Sequence, residues 1–388
     1  MPETTSNSAR PRVLSGMRPT GKLHLGNYMG ALANWVKLQA DYACYFFIAD
    51  LHALTTDYAD TSQIASNTIE VALDFLSAGL DPERSTIFVQ SHVKQHYELP
   101  LLLGMITPLG WLERVPSYKE MQENLSNKDL TTFGFLGYPV LMASDILLYQ
   151  PQFVPVGQDQ QAHVELTREI ARRFNFFFRP KDQGESNVQY ETYDELVAKY
   201  GADAARKISD GGKGGHFRQV DQSQSSGSGP NEILIEPQVL LTPSPKLPGT
   251  DGRKMSKSYG NTIQMTDSEQ VVRQKLKTMV TDPARIRRTD KGDPDKCPVG
   301  DLHKVFSTPE TLAKVYDGCR SAGIGCIECK GWAADALVQV LNPIQERRAG
   351  LTKPHVKEIL RAGSERAQAR AGQTMEEVHS AMQLARMD

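Results

Sequence analysis

Long apolar runs, an excess of charge of either sign, and cysteine are all scarce in this chain of 388 residues. No apolar run approaches the roughly 20 residues that a membrane-spanning helix needs, which argues against a membrane protein. The first twelve residues are polar and lack the apolar region of a secretory signal, so a cytoplasmic protein is expected. The 44 basic and 46 acidic residues give a net charge of −2, so a nucleic-acid partner would have to bind local basic patches.

Only five cysteines are present, and Cys44 lies in an apolar run that predicts a buried strand. The other four follow the spacing C-x21-C-x6-C-x2-C in the C-terminal third: Cys297, Cys319, Cys326 and Cys329. Disulfides are rare in cytosolic proteins, whereas four thiolates with a terminal C-x-x-C suit a metal. The spacing leaves a tetrahedral zinc site, a [4Fe–4S] cluster and free thiols open.

The length favours two domains, and the pattern along the chain changes accordingly. Residues 1–175 alternate strand-like and helical patterns, which predicts an α/β fold with a parallel sheet. Residues 181–232 are rich in glycine and serine and are interpreted as a flexible insertion. Beyond residue 262 the pattern is helical, with capping boxes predicted at Thr266–Glu269 and at Thr374–Glu377, the latter opening the last helix.

A glycine-flanked loop carries two lysines three positions apart, in the run Lys254, Met255, Ser256, Lys257 and Ser258. Two movable positive charges among hydroxyl and backbone N–H donors suit a polyphosphate. A positive charge ~4 Å from a phosphate oxygen gains roughly 4 kcal/mol at an effective dielectric near 20. The alternative is a solvated basic loop without a ligand.

Far upstream, a strand beginning at Val13 is followed by a loop with Pro19 and Thr20, and then by a helix from Gly26. Unpaired N–H groups at the start of a helix attract anions, and a glycine lets a nucleotide approach the backbone closely. His24 and Asn27 flank that start at positions i and i+3. This pattern alone is also typical of an ordinary capped turn.

A third block covers residues 137–174 and begins with a strongly apolar segment, residues 138–149, that contains a single carboxylate, Asp145. Pro139 predicts the first turn of a helix on which Tyr138, Met142, Asp145 and Tyr149 share one face. Such a carboxylate either binds a neighbouring protein group or accepts a substrate N–H inside an apolar slot, as an indole requires. A short strand, residues 153–156, and the turn 157–160 follow, where polar side chains at the carboxyl end of a strand bind ligands.

Taken together, the His24–Asn27 and Lys254–Ser258 segments resemble the two signature motifs of class I aminoacyl-tRNA synthetases. Asn27 replaces the second histidine of many members, a departure familiar in the tryptophanyl branch. The third block resembles bacterial tryptophanyl-tRNA synthetases, and the resemblance covers residues 13–175, 233–300 and 340–388. It implies a Rossmann-like, doubly wound catalytic domain over residues 1–262 and a helical anticodon-binding domain over residues 263–388.

The resemblance also implies roles for the matched residues. His24, Asn27, Lys254 and Lys257 would be catalytic. ATP would be bound by Arg18, Pro19, Thr20, Gly26, Asn27, Gly157, Gln158, Asp159, Lys254, Met255, Ser256, Lys257 and Ser258. Tryptophan would be bound by Tyr138, Met142, Asp145, Gln160 and His52, and pyrophosphate by Lys119.

The implied partners are ATP with Mg2+, L-tryptophan and tRNA(Trp), in a homodimer that binds neither DNA nor membranes. The resemblance favours a [4Fe–4S] cluster over zinc at the four cysteines, as a structural support near the anticodon. Basic candidates for tRNA contact are Arg285, Arg287, Arg288, Lys291, Arg361, Arg366 and Arg370. A tyrosyl-tRNA synthetase, or a relative that binds nucleotide or RNA without aminoacylating, remains the alternative.

Overall fold

The computed structural model describes residues 10–115, 130–178, 232–241 and 247–384. Its centre is a parallel five-stranded sheet with the strand order β3-β2-β1-β4-β5. The strands are β1 (Arg12–Met17), β2 (Ala43–Ile48), β3 (Ser85–Val89), β4 (Phe153–Val156) and β5 (Gln238–Leu241). The chain builds β1 to β3 in one direction and then returns to place β4 on the other side of β1. The carboxyl ends of β1 and β4 therefore form the switch point where ligands bind in such sheets.

Helices cover both faces of the sheet, which confirms the predicted α/β class. The first helical stretch runs through α1 (Leu25–Asn27), a π-helical turn (Tyr28–Leu32) and α2 (Ala33–Leu38). The next helices are α3 (Asp50–Asp57), α4 (Ile64–Ala78), α5 (Gln95–Gly104), α6 (Leu109–Glu113), α7 (Phe133–Tyr149) and α8 (Gln161–Phe178). None of the helices in the described ranges is long and apolar enough to cross a membrane.

The C-terminal region is helical, as predicted, and it packs directly on the sheet. Its helices are α9 (Glu269–Thr278), α10 (Pro298–Phe306), α11 (Pro309–Arg320), α12 (Cys326–Ala349) and α13 (Lys353–Ala381). α13 lies against β3, and α12 packs on both α4 and α9. One hydrophobic core joins Leu25 and Phe75 to Leu276 and Leu337, so the two regions share their interior. The division after residue 262 stays a prediction.

Three predicted helix starts are wrong. α7 begins at Phe133, because the Thr132 hydroxyl accepts the Phe135 N–H at 3.2 Å, and Pro139 lies inside the helix. The cap of α9 is Ser268 rather than Thr266, since the Ser268 hydroxyl accepts the Val271 N–H. Thr374 opens no helix. It lies buried within α13, and its hydroxyl donates to the Leu148 carbonyl at 2.8 Å, which ties α13 to α7.

The contact between α13 and β3 depends on a glycine. A Cβ at Gly363 would lie 1.8 Å from the Ile87 carbonyl oxygen, so Gly363→Ala must push α13 away from the sheet. We expect a loss of about 2–3 kcal/mol in the free energy of unfolding, measured by urea denaturation. Gly372→Ala on the same helix is the control: its Cβ would meet only the Gln95 side chain, at 3.8 Å, and should change stability by less than about 1 kcal/mol. Equal effects of the two substitutions would contradict this packing.

Candidate active site

The turn after β1 is held by a reciprocal pair of hydrogen bonds between His24 and Asn27. The Asn27 N–H donates to His24 Nδ1 at 3.3 Å, and the His24 N–H donates to Asn27 Oδ1 at 3.1 Å. His24 is thus the N-terminal cap of α1. A Cβ at Gly26 would lie 2.8 Å from His24 Nδ1, so any larger residue at this position would displace the imidazole ring. The motif is rigid and lies at the carboxyl end of β1.

The lysine loop lies against this turn, although the two are far apart in sequence. Lys257 Nζ donates to the carbonyl of Thr20 at 3.1 Å, 237 positions upstream, and to that of Gly21 at 2.8 Å. The residues on either side of His24 form backbone hydrogen bonds with the chain that follows the loop. The Leu25 N–H donates to the Ile263 carbonyl at 2.9 Å, and the Met265 N–H donates to the Leu23 carbonyl at 3.0 Å. Met255 is buried, whereas Lys254 is exposed. The fold therefore brings both sequence motifs to one place.

Burial tunes the charges in this place. It lowers the pKa of Lys257 to about 8, against the opposing effect of Asp74. Burial, and after it the charge of Lys257, lowers the pKa of His24 to about 4. At neutral pH His24 is therefore an uncharged hydrogen-bonding group, while Lys257 supplies a positive charge that is only partly hydrated.

Sequence reasoning missed the residue that shapes the lysine loop, Asn261, which is only 2% exposed. Its Oδ1 accepts the Ser256 N–H at 2.8 Å. Its Nδ2 donates to Asp251 Oδ1 at 2.6 Å and to the Lys254 carbonyl at 3.2 Å. An asparagine after a glycine gives no signal of burial, so this support could not be read from the pattern.

The other predicted nucleotide contacts lie at the ends of β1 and β4. Arg18 Nη2 donates to the Thr56 hydroxyl and to Asp57 at 3.4 Å, while its buried Nε–H has no partner in the described residues. Gly157 leads from β4 into the 3-10 turn Gln158–Gln160, and α8 follows at once. The switch point is thus flanked by both predicted loops. Lys119 lies outside the described residues.

Asp145 is buried in α7, with three donors around its carboxylate. Oδ1 accepts from His96 Nδ1 at 2.6 Å and from Gln90 Nε2 at 2.8 Å, and Oδ2 accepts from His52 Nε2 at 2.8 Å. Burial alone would raise the pKa of Asp145, but His96 and His52 outweigh it and hold that pKa below its ordinary value. Asp145 is therefore an ionised acceptor. Its role toward an indole stays a prediction, as does that of His52.

Two further members of this network escaped the sequence reasoning. His96 is fully buried, and its Nε2 lies 2.8 Å from the hydroxyl of Tyr149. Burial, and after it the charge of Asp145, raises the pKa of that hydroxyl well above its ordinary value. Gln90 follows β3 directly and also holds the Leu51 N–H at 3.1 Å. A lone histidine and a lone glutamine carry no motif, and only the fold brings them to Asp145.

Met142 and Tyr138 lie one and two turns before Asp145 on α7, and their place in the same site stays a prediction. The Tyr138 hydroxyl is 2.9 Å from His163 Nε2, and Met142 is partly buried. Gln160 closes the 3-10 turn after β4. α3 joins this region to the nucleotide loop, because His52 and Thr56 are one helical turn apart and contact Asp145 and Arg18 respectively. The two candidate subsites are therefore adjacent.

The four C-terminal cysteines form a single neighbourhood beside α12. Burial raises the pKa of Cys329 to about 12, and the negative charges of the other three thiolates add to this. Arg285 Nη1 lies 3.5 Å from Cys319 Sγ, and His303 Nε2 lies 3.4 Å from Cys329 Sγ. Within the described ranges, however, no three His, Cys, Asp or Glu side chains are arranged so that they could hold a metal ion.

One expected basic surface residue is buried instead. Arg285 donates to the carbonyls of Arg288 and Ile324 and faces Cys319, so it supports the cysteine neighbourhood and does not face a solvent-side partner. Its neighbours Arg287, Arg288 and Lys291 are exposed. Of the four predicted basic candidates in this segment, these three remain on the surface.

Comparison with known proteins shows similarity to the family whose signature motifs the site contains. The family described as "tRNA synthetases class I (W and Y)" matches residues 6–188 and 200–342. The tryptophan–tRNA ligase of Ralstonia nicotianae is 48% identical over 394 residues, covering 96% of this chain and 98% of that protein. The ligase of the same name from Thermotoga maritima is 45% identical over 377 residues, covering 96% and 99%.

Solved structures of tryptophanyl-tRNA synthetases are also similar to this chain. The tryptophanyl-tRNA synthetase of Campylobacter jejuni, complexed with ADP and tryptophan, is similar with a TM-score of 0.73 and 30% identity, covering 96% of this chain and 100% of that one. The tyrosyl-tRNA synthetase of Archaeoglobus fulgidus, at 20% identity and a TM-score of 0.56, shares the fold alone.

Proposed function

Because the chain belongs to the class I tRNA synthetases that use tryptophan or tyrosine, we propose how its residues carry out the activity of a tryptophan–tRNA ligase. The enzyme activates L-tryptophan with ATP and then transfers the tryptophanyl group to tRNA(Trp). The observation that carries the assignment of the site is the contact of Lys257 with Thr20 and Gly21 at the switch point of the sheet. It joins the two distant motifs into one polyphosphate site.

In the first step, a carboxylate oxygen of tryptophan attacks the α-phosphorus of ATP, and the bond to the pyrophosphate oxygen breaks. Positive charge near the phosphates stabilises the charge that builds up on them. Lys257 and Lys254 provide it from the loop, and Mg2+ accompanies the nucleotide. Neutral His24 can donate to a phosphate oxygen through Nε2, because its Nδ1 already accepts the Asn27 N–H. In the second step a terminal ribose hydroxyl of the tRNA takes the tryptophanyl group.

We propose that Asp145 accepts the indole N–H, with Tyr138, Met142 and Gln160 lining the ring. His52 is 13% exposed at its side chain and is the donor to Asp145 that lies nearest to solvent, so it would yield Oδ2 to the substrate. His96 would keep Oδ1 in place, and Gln90, whose Nε2 lies 2.8 Å from Oδ1 and 2.9 Å from Oδ2, would hold the carboxylate as a whole. An apolar slot with a single acceptor fits an indole better than a phenol.

Charging of tRNA tests the whole function. With tRNA(Trp) and ATP, the protein should form tryptophanyl-tRNA and should reject tyrosine. Preference for tyrosine would support the tyrosyl alternative. Nucleotide or RNA binding without any charging would support a relative that does not aminoacylate. We propose a cytoplasmic location, where ribosomes use charged tRNA.

A homodimer is supported by apolar side chains that no described residue covers. Tyr97, Leu101 and Met105 recur every four positions along α5 and its end, and Met105 is 71% exposed. Phe133, at the start of α7, is 86% exposed. α5, which carries the first three side chains along its length and at its end, packs against α7, which begins at Phe133. A solution mass of one 43.1 kDa chain would contradict the dimer.

For the cysteine neighbourhood we propose a [4Fe–4S] cluster, with zinc as the alternative. The support is the chemistry of the donor set: four thiols whose charges act on one another, with the Arg285 guanidinium 3.5 Å from Cys319 Sγ. In the described residues these side chains are not arranged as metal ligands, so binding of the group would have to draw them together. Cys297, Cys319, Cys326 and Cys329 would hold the group, which would brace the helices and take no part in the reaction.

Visible absorption, together with iron and sulfide content, distinguishes these possibilities. We expect protein purified without oxygen to be brown, with iron and sulfide in equal amounts, and the colour to disappear in Cys326→Ser. Cys44→Ala, in β2 and remote from the quartet, is the control and should stay brown. One zinc per colourless chain would contradict the cluster, and the absence of both metals would leave free thiols.

A further inference from the structure

A buried carboxylate on α4, Asp74, connects the turn at His24 to the C-terminal helices. It is 0% exposed. Its Oδ2 accepts the N–H of Leu23, the residue before His24, at 2.8 Å. Its Oδ1 pairs with Nη1 of Arg348, near the end of α12. The Asp74 side chain therefore contacts both the backbone next to His24 and Arg348, which lies 274 positions later in the chain.

Arg348 is held in place from a second side. Its Nη2 pairs with Glu70 Oε2 at 2.6 Å, one turn before Asp74 on α4. Its neighbour Arg347 donates through Nε to the Ser77 carbonyl at 2.6 Å, at the end of that helix. The guanidinium that faces Asp74 therefore has little freedom to move.

The end of α12 also holds the chain that pairs with the His24 turn. Gln345 Nε2 donates to the carbonyls of Met265 and Asp267 at 3.1 and 2.9 Å. The Met265 N–H in turn donates to the Leu23 carbonyl at 3.0 Å. One turn of α12 thus reaches both sides of Leu23, through Arg348 and Asp74 to its N–H, and through Gln345 and Met265 to its carbonyl.

Stability alone does not explain this arrangement. A buried ion pair seldom stabilises a protein more than well-packed apolar residues would, because both charges lose their hydration. Burial raises the pKa of Asp74 to about 6, although the Leu23 N–H, Arg348 and Lys257 all favour the charged form. The pair instead fixes the position of the Leu23 N–H, and therefore the position of the next residue, His24, which caps α1.

We propose that Asp74 and Arg348 are positioning residues for adenylate formation, which hold the His24 turn in register with the lysine loop from the end of α12. The inference rests on the proposed function. It makes the C-terminal helices part of the support of the ATP site. Neither residue touches substrate, and both act through the backbone at Leu23.

The arrangement predicts that the rate of adenylate formation falls as the pH is lowered through the pKa of Asp74, which gives an acid limb in the pH profile. The groups that face Asp74 are Glu70 on its own helix, Arg348 from α12, Lys257 from the lysine loop and the Leu23 N–H. Protonation below about pH 6 removes the charge that Arg348 meets and loosens the turn. His24, with a pKa of about 4, and Lys257, with a pKa of about 8, titrate away from this limb.

The test is tryptophan-dependent exchange of pyrophosphate into ATP between pH 5 and 8, in the full chain. Asp74→Asn should lower kcat roughly 10- to 100-fold, leave KM for tryptophan within about twofold, and abolish the limb near pH 6. Arg348→Gln should behave likewise, and Arg348→Lys should restore part of the rate.

Glu70→Gln is the matched control, because it removes a carboxylate from the same guanidinium without touching Leu23. Its kcat should fall much less than that of Asp74→Asn, because Asp74 still accepts the Leu23 N–H and still pairs with Arg348. Its acid limb should move to lower pH, since the charge of Glu70 raises the pKa of Asp74.

If Asp74→Asn does not fold, the apolar pair Asp74→Leu with Arg348→Met keeps the packing and should remain slow. A wild-type rate and an unchanged limb in Asp74→Asn would overturn the proposal. So would a loss in which kcat, KM and the thermal midpoint all change together, since that marks a purely structural role. A wild-type chain without any tryptophan-dependent exchange would instead refute the proposed function.

Discussion

Replacing Lys257 with alanine should slow the formation of tryptophanyl-adenylate by roughly 10²- to 10³-fold, because one pre-placed charge near the transferring phosphate contributes about that much. Lys257 Nζ lies on the carbonyls of Thr20 and Gly21, where the nucleotide loop passes. Partial burial strengthens its attraction for phosphate relative to an exposed lysine. The affinity for tryptophan should change little, since the proposed tryptophan subsite lies around Asp145.

Single-turnover formation of adenylate, with tryptophan binding measured separately, checks this expectation. Lys257→Met keeps the bulk of the side chain and should be as slow as the alanine variant, which separates charge from packing. Lys37→Ala is the control, because Lys37 is exposed at the far end of the helical stretch that His24 caps. An unimpaired rate in Lys257→Ala would remove its catalytic role.

Asp145→Ala should lower kcat/KM for tryptophan by roughly 10³-fold, since a site built around one N–H loses discrimination when its acceptor is removed. The substitution also leaves the donors His52, Gln90 and His96 facing each other. The variant must therefore be shown to unfold at a temperature near that of the wild type before its kinetics are interpreted.

A substrate analogue isolates the hydrogen bond from such side effects. In the analogue, sulfur replaces the indole N–H and the ring keeps its shape. The wild-type enzyme should prefer tryptophan strongly over this analogue, and Asp145→Ala should use the two about equally. If the variant kept the full preference for tryptophan, the N–H acceptor would be another group.

Some features could be predicted from the sequence because the signal is local. The run from Ala43 to Ile48 is apolar on both faces and forms a central parallel strand, as expected. The loop from Lys254 to Ser258 and the turn at His24 were each recognised from residue types that suit a phosphate, and the fold brings them together.

Other features depend on contacts between distant residues and left no local pattern. Pro139 suggested a helix start, but the cap at Thr132 and the buried Phe135 extend α7 by two turns. Arg285 belongs to a basic run in sequence, yet its guanidinium is buried against Cys319. His96 and Asp74 are single polar residues whose partners lie 49 and 274 positions away. Asn261 bonds within its own loop, up to 10 positions away, but belongs to no recognisable motif.

The most direct test of the account is the exchange of labelled pyrophosphate into ATP by the wild-type chain without tRNA. Exchange should require L-tryptophan and Mg2+ and should be absent with tyrosine, because one site unites the His24 turn, the Lys257 loop and the pocket at Asp145. Exchange that is equally fast with tyrosine, or no exchange with tryptophan, would contradict it.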